Sequence, residues 1–183
     1  MGLDMRNAVI LHGAGETPKS FWLPYAKREL EKRGFAVSIP QLPDANQPDI
    51  AKWLPTALKE KYGSNTVIIA HSAGCPLLLS VLENVKPTIR KAILVAGYST
   101  PLPKGANKIL QEKYDWKKIR AHAKEFVFIN SDNDPWGCDD RQGRQMLNRL
   151  GGTLIIPHGE AHMGSDKFNQ PYKKFPLMAK IIE

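Results

Sequence analysis

The stretch Thr66-Val67-Ile68-Ile69-Ala70-His71-Ser72-Ala73-Gly74 passes from an apolar, β-branched run into a segment with helical spacing. Residues 66–70 read as a buried strand, and residues 74–84 as a helix with Leu77, Leu78, Val81 and Leu82 on its buried side. Three residues remain for the turn between them. A connection that tight forces Ser72 into a strained backbone conformation and lifts its hydroxyl onto the helix N-terminus. Gly74 fits the last position of the G-x-S-x-G nucleophile elbow, and Ala70 replaces its first glycine with one added methyl. The same serine also reads as an ordinary helix N-cap.

On either side of this turn the chain alternates. Strands are expected at 7–12, 35–39, 66–70, 89–96, 126–130 and 153–156. Helices are expected at 20–33, 48–62, 74–84, 116–124, 141–150 and 168–182, with Pro55 kinking or interrupting the second. Short strands separated by helices mean βαβ units, so the fold class is α/β: a three-layer, doubly wound, mostly parallel sheet with helices on both faces. At 183 residues the chain suits a single domain spanning 1–183, long enough to bury a core without staples.

Composition excludes several classes. Hydrophobic residues make up 42% and charged residues 24%, which is globular rather than disordered. The apolar runs are far shorter than the ~20 residues a membrane helix needs. No signal peptide is read at the N-terminus, and Arg6 stands where myristoylation of Gly2 would want Ser or Thr. A cytoplasmic protein is expected. Cys75 and Cys138 form no CxxC and read as reduced structural thiols rather than metal ligands or a disulfide. The formal net charge is +8, concentrated between Lys104 and Lys124. Few aromatics accompany that segment and no nucleic-acid motif does, so it reads as a solvated basic face.

In a parallel sheet the chemistry collects at the carboxyl ends of the strands. The loop after the first strand, His12-Gly13-Ala14-Gly15-Glu16-Thr17-Pro18-Lys19-Ser20, comes within one residue of two nucleotide motifs. Both need glycine at Pro18, which has no N–H for a phosphate and a fixed φ. A serine nucleophile needs a base and an orienting carboxylate, and these follow in the order Ser…Asp…His. Ser131-Asp132-Asn133-Asp134-Pro135 comes after one strand and His158-Gly159-Glu160-Ala161-His162 after the last. His71, beside the serine, would point away from its hydroxyl and reads as a packed or orienting histidine. Either aspartate could serve as the acid. Of the two histidines that could serve as the base, His158 lies too close to its strand end and His162 sits farther along in a small-residue turn.

The sequence resembles the α/β-hydrolase superfamily, and more narrowly the small, cap-less serine hydrolases of the retinoblastoma-binding hydrolase group. Beyond the elbow, the resemblance rests on four stretches. These are Trp22-Leu23-Pro24 with Glu29-Leu30 and Gly34; Pro40-Gln41-Leu42-Pro43; Asp115-Trp116-Lys117-Lys118-Ile119; and Ser131-Asp132-Asn133-Asp134-Pro135. It implies a minimal fold without a lid and a triad of Ser72, Asp134 and His162. It also implies an oxyanion hole built from the backbone N–H groups of Ala14 and Ala73. Trp136-Gly137-Cys138 departs from the aromatic, Val and Pro found in many members. The Leu-x-Cys-x-Glu element that binds retinoblastoma protein is absent, so that partnership is not implied. The expectation is a carboxylesterase-like hydrolase of a small acyl substrate, with no metal, organic cofactor, nucleic acid or membrane partner. Trp22, Tyr98 and Trp136 are candidates to line its pocket. The alternatives are a hydrolase-like binding module with little catalysis and, further off, a nucleotide-binding protein.

Overall fold

The strands are β1 (Asn7–Leu11), β2 (Ala36–Ser38), β3 (Thr66–His71), β4 (Lys91–Val95), β5 (Phe126–Ile129) and β6 (Thr153–Ile155). They form one sheet in the order β2-β1-β3-β4-β5-β6, every pair parallel. The computed structural model describes residues 6–182, so the reading of Gly2 lies outside the described residues. The helices are α1 (Leu23–Glu31), α2 (Ile50–Ala57), α3 (Gly74–Asn84), α4 (Trp116–Ala121), α5 (Asp140–Leu150) and α6 (Pro176–Ile181).

Every residue of β3 and β4 is buried, as expected of central strands covered on both faces. The chain steps from β1 outward to β2, then back past β1 to β3. Right-handed crossovers in opposite directions put their helices on opposite faces. Accordingly α1 packs with α6, while α2, α3, α4 and α5 pack in succession. The reversal between β1 and β3 opens a crevice at their carboxyl ends, the usual place for a ligand in such a sheet. In register, Leu11 lies opposite Ala70 and Ala70 opposite Leu94. The loops after β1 and β3 therefore emerge side by side.

Two expected helices need correction, and one short turn is added. The helix expected at 48–62 is only Ile50–Ala57, with Pro55 inside its last turn. It stops because the Ala57 carbonyl is taken by the Tyr62 hydroxyl at 2.8 Å and by the Glu60 amide. The helix expected at 168–182 is reduced to Pro176–Ile181. Pro171 and Pro176 disfavour helix at the residues before them. The preceding chain instead makes an antiparallel bridge between Ser165 and Gln170. A short 3-10 turn at Asn107–Ile109 was not expected. Among the described residues no helix is long and apolar enough to cross a membrane.

Candidate active site

Ser72 stands at the carboxyl end of β3 with φ at +51°, in the left-handed region. A non-glycine residue held there costs about 1–3 kcal/mol, and the surrounding structure must impose it. Two backbone bonds do so: the Ser72 amide donates to the Val95 carbonyl at 2.9 Å, and the Cys75 amide to the Ser72 carbonyl at 2.9 Å. Gly74 makes the turn possible. A Cβ there would lie 2.4 Å from the Leu11 carbonyl oxygen and 2.8 Å from that of His12. Ala70, at the other small position, is buried in the strand without strain.

His162 sits in the loop beyond β6, between Ala161 and Met163, both at positive φ (47° and 53°). Its Nδ1 donates to Oδ2 of Asp134 at 2.7 Å. The other carboxylate oxygen of Asp134 accepts the Trp136 amide at 2.8 Å, which fixes the plane of the group. The rest of the Ser131–Asp134 stretch ties down the histidine loop. Asp132 accepts the Gly159 amide at 2.9 Å, and the Asn133 side-chain oxygen accepts the Ala161 amide at 2.8 Å. Asp132 also pairs with His158, which is 95% exposed. That pair lies at the surface.

Ser72, Ala73, Ala14 and His162 line one cavity of about 230 Å³. Its walls include Phe21, Tyr98, Leu102 and Trp136, with Lys104 and Lys167 among its exposed residues. Lys167 stands 4.7 Å over the Trp136 ring. Among the described residues, neither the Ala14 nor the Ala73 amide donates to a protein acceptor. Trp22 does not line the cavity. It is fully buried, and its indole N–H donates to the Met163 carbonyl at 2.9 Å, bracing the histidine loop from beneath. The basic residues from Lys104 to Lys124 are all exposed.

Two buried histidines flank the serine. His12 accepts the Leu42 amide on Nε2 at 3.0 Å, so its Nδ1 carries the proton and donates to the Gly13 carbonyl at 2.9 Å. Burial holds its pKa below the ordinary value, consistent with a neutral ring. His71 meets Glu16 of the loop after β1. The Glu16 carboxylate is 2.6 Å from Nδ1 of His71 and also accepts the Gly13 amide at 2.9 Å. An acidic residue in the loop after β1 is visible in the sequence, but its partner lies 55 residues away.

Asp134, Cys138 and His162 bring an oxygen, a sulfur and a nitrogen within 4.8 Å of one another, a set that could approach a metal ion. Burial pushes the Cys138 thiol well above its ordinary pKa, so it stands beside Asp134 and His162 as a neutral thiol.

A family model described as serine hydrolase matches residues 8–181. YdeN of Bacillus subtilis (strain 168) is 31% identical over 137 residues, covering 70% of this chain and 71% of that protein. Serine hydrolase RBBP9 of Rattus norvegicus is 23% identical over 164 residues, covering 87% of each chain. The crystal structure of the B. subtilis ydeN product matches with a TM-score of 0.85 at 24% identity, over 97% of this chain and 96% of that one. Est1E from Butyrivibrio proteoclasticus, solved with ferulic acid bound, matches with a TM-score of 0.71 at 12% identity, over 96% and 86%.

Proposed function

The chain belongs to the serine hydrolase family and has the α/β-hydrolase fold, and from that premise we propose that it cleaves an ester, thioester or amide bond of a small acyl substrate. Ser72 is the nucleophile, His162 the general base and Asp134 the residue that orients it. The observation that carries this reading is the strained Ser72 sharing one cavity with His162, whose far ring nitrogen is held by Asp134.

The chemistry follows from the geometry. Asp134 fixes the proton of His162 on Nδ1, so Nε2 is left with its lone pair. Nε2 takes the hydroxyl proton as Ser72 Oγ bonds to the substrate carbonyl carbon, and the carbonyl π electrons move to oxygen. The Ala14 and Ala73 amides are free to receive that oxyanion. Collapse of the intermediate breaks the bond to the leaving group, which takes the proton from His162. Water then repeats the sequence on the acyl-enzyme and releases the acid. The cavity of about 230 Å³ suits a short acyl group. None of these steps calls on a metal or organic cofactor.

The experiment is hydrolysis of a nitrophenyl ester by the purified protein and by Ser72→Ala. Turnover is expected to fall at least about 1,000-fold in the variant with the fold unchanged. Equal turnover by the two would overturn the assignment.

A further inference from the structure

The reacting residues leave one buried charged group unused. Glu16 is 4% exposed and His71 is fully buried, directly beneath the site. Oε1 of Glu16 is 2.6 Å from Nδ1 of His71, and Nε2 of His71 is 3.0 Å from the backbone carbonyl oxygen of His162. A carboxylate and a carbonyl can only accept, so both ring nitrogens must donate. Burial favours a neutral Glu16, but the facing His71 outweighs it and lowers the Glu16 pKa, while Glu16 raises that of His71, so Glu16 is the carboxylate and His71 the imidazolium.

Oε2 of Glu16 accepts the Gly13 amide at 2.9 Å, so Glu16 holds the loop that presents the Ala14 amide. His71 holds the main chain of His162, whose ring centroid lies 5.0 Å away. Phe21 and Trp22 pack edge-on against the His71 ring and exclude water. A Cβ on Gly13 would lie 2.4 Å from the Glu16 carboxylate and 3.0 Å from the Ser72 Cβ, so the glycine lets these groups close up. We propose that Glu16 and His71 are positioning residues, an ion pair that ties the loop after β1 to the loop carrying His162 and sets the distance between oxyanion donor and base.

This inference rests on the catalytic reading of Ser72 and His162. The other titratable groups facing the pair are compatible with it. His12 is neutral by its hydrogen bonds, and the Asp134 charge favours the imidazolium. Burial alone would lower the His71 pKa, but the Glu16 charge and hydrogen bond outweigh it and leave it raised.

Glu16→Gln separates charge from geometry. A glutamine can donate to Nδ1 of a neutral His71, leave Nε2–H on the His162 carbonyl and still accept the Gly13 amide. In Glu16→Gln/His71→Phe the ring packing stays and no charge is stranded, but the link to His162 is cut. Nitrogen-15 NMR of labelled histidines should show His71 still protonated on both nitrogens above its ordinary pKa of 6.5 in the parent protein, and neutral there in Glu16→Gln. With a nitrophenyl ester, kcat of Glu16→Gln should stay within about tenfold of the parent. In the double variant it should fall about 100-fold further, with KM changed by no more than about twofold, because only alignment of the reacting groups is lost. A folded double variant that turns over like Glu16→Gln would overturn the proposal, as would a neutral His71 in the parent protein. A parent protein with no Ser72-dependent turnover would instead overturn the catalytic assignment, because the NMR result does not depend on activity.

Discussion

Asp134 and His162 meet at 2.7 Å with their side chains 0% and 6% exposed, so water does not compete for the hydrogen bond between them. The neighbouring Asp132–His158 pair has similar geometry but lies in solvent, with the histidine 95% exposed. Burial, not distance, distinguishes a carboxylate that can hold one tautomer of a base from one that cannot.

Asp134→Asn should therefore lower kcat by about 10⁴-fold, because an amide can donate to Nδ1 and favour the wrong tautomer. Asp132→Asn should cost no more than about tenfold, since its contacts to Gly159 and His158 lie at the surface. Steady-state hydrolysis of a nitrophenyl ester by both variants gives the comparison. Equal losses would mean that the two aspartates share the role.

The elbow tolerates its two small positions unequally. Gly74→Ala places a methyl against the Leu11 and His12 carbonyl oxygens and should destabilise the protein by about 1–3 kcal/mol while displacing Ser72. Ala70→Gly should cost only about 0.5–1 kcal/mol, through chain entropy in a strand, with activity nearly unchanged. Urea melts and esterase assays on the two variants test the order. A Gly74→Ala protein as stable and active as the parent would contradict the packing described for the turn.

The Glu16–His71 pair should leave a pH signature in stability. Burial alone would raise the Glu16 pKa, but the facing His71 charge and hydrogen bond bring it below its ordinary 4.5. A depressed carboxyl contributes stability above its unfolded pKa and loses it as pH falls through the folded value. His71 is raised above 6.5, so its contribution is complete below that pH and fades as pH rises through the folded value. The melting temperature of the parent minus that of Glu16→Gln should therefore be greatest between about pH 4.5 and 6.5 and shrink on either side. A difference that is flat from pH 4 to 9 would show that the pair is not ionised.

Much of this was legible in the sequence, and the limits were physical. The strand–Ser72–helix turn and the loops that carry Asp134 and His162 could be read because each follows an apolar strand, and a parallel sheet gathers such ends, while the choice of Asp134 over Asp132 came from the family resemblance. The shortened α2 could not, because the Tyr62 hydroxyl that ends it is a tertiary contact. Between His162 and Pro176 the chain is pinned by Gln170, which bonds the Glu160 carbonyl and the Gly164 amide. Helical spacing carries no trace of those bonds. Trp22 was considered for the cavity wall, yet it sits beneath the Met163 carbonyl, since an aromatic residue's direction is set by packing and not by its neighbours in sequence. Glu16 stood in plain view in the loop after β1, and only folding brings it to His71.

The central claim is that Ser72 is a base-activated nucleophile, and covalent labelling by a fluorophosphonate probe tests it most directly. The probe needs no knowledge of the natural substrate. Its phosphorus is attacked by a serine that a base has activated, and the adduct's oxygen occupies the donors that would stabilise the true intermediate. Intact-mass and peptide analysis should find one adduct, on Ser72, absent in Ser72→Ala and formed at least about 100-fold more slowly in His162→Ala. An adduct on another serine, or none on the folded parent protein, would contradict the account.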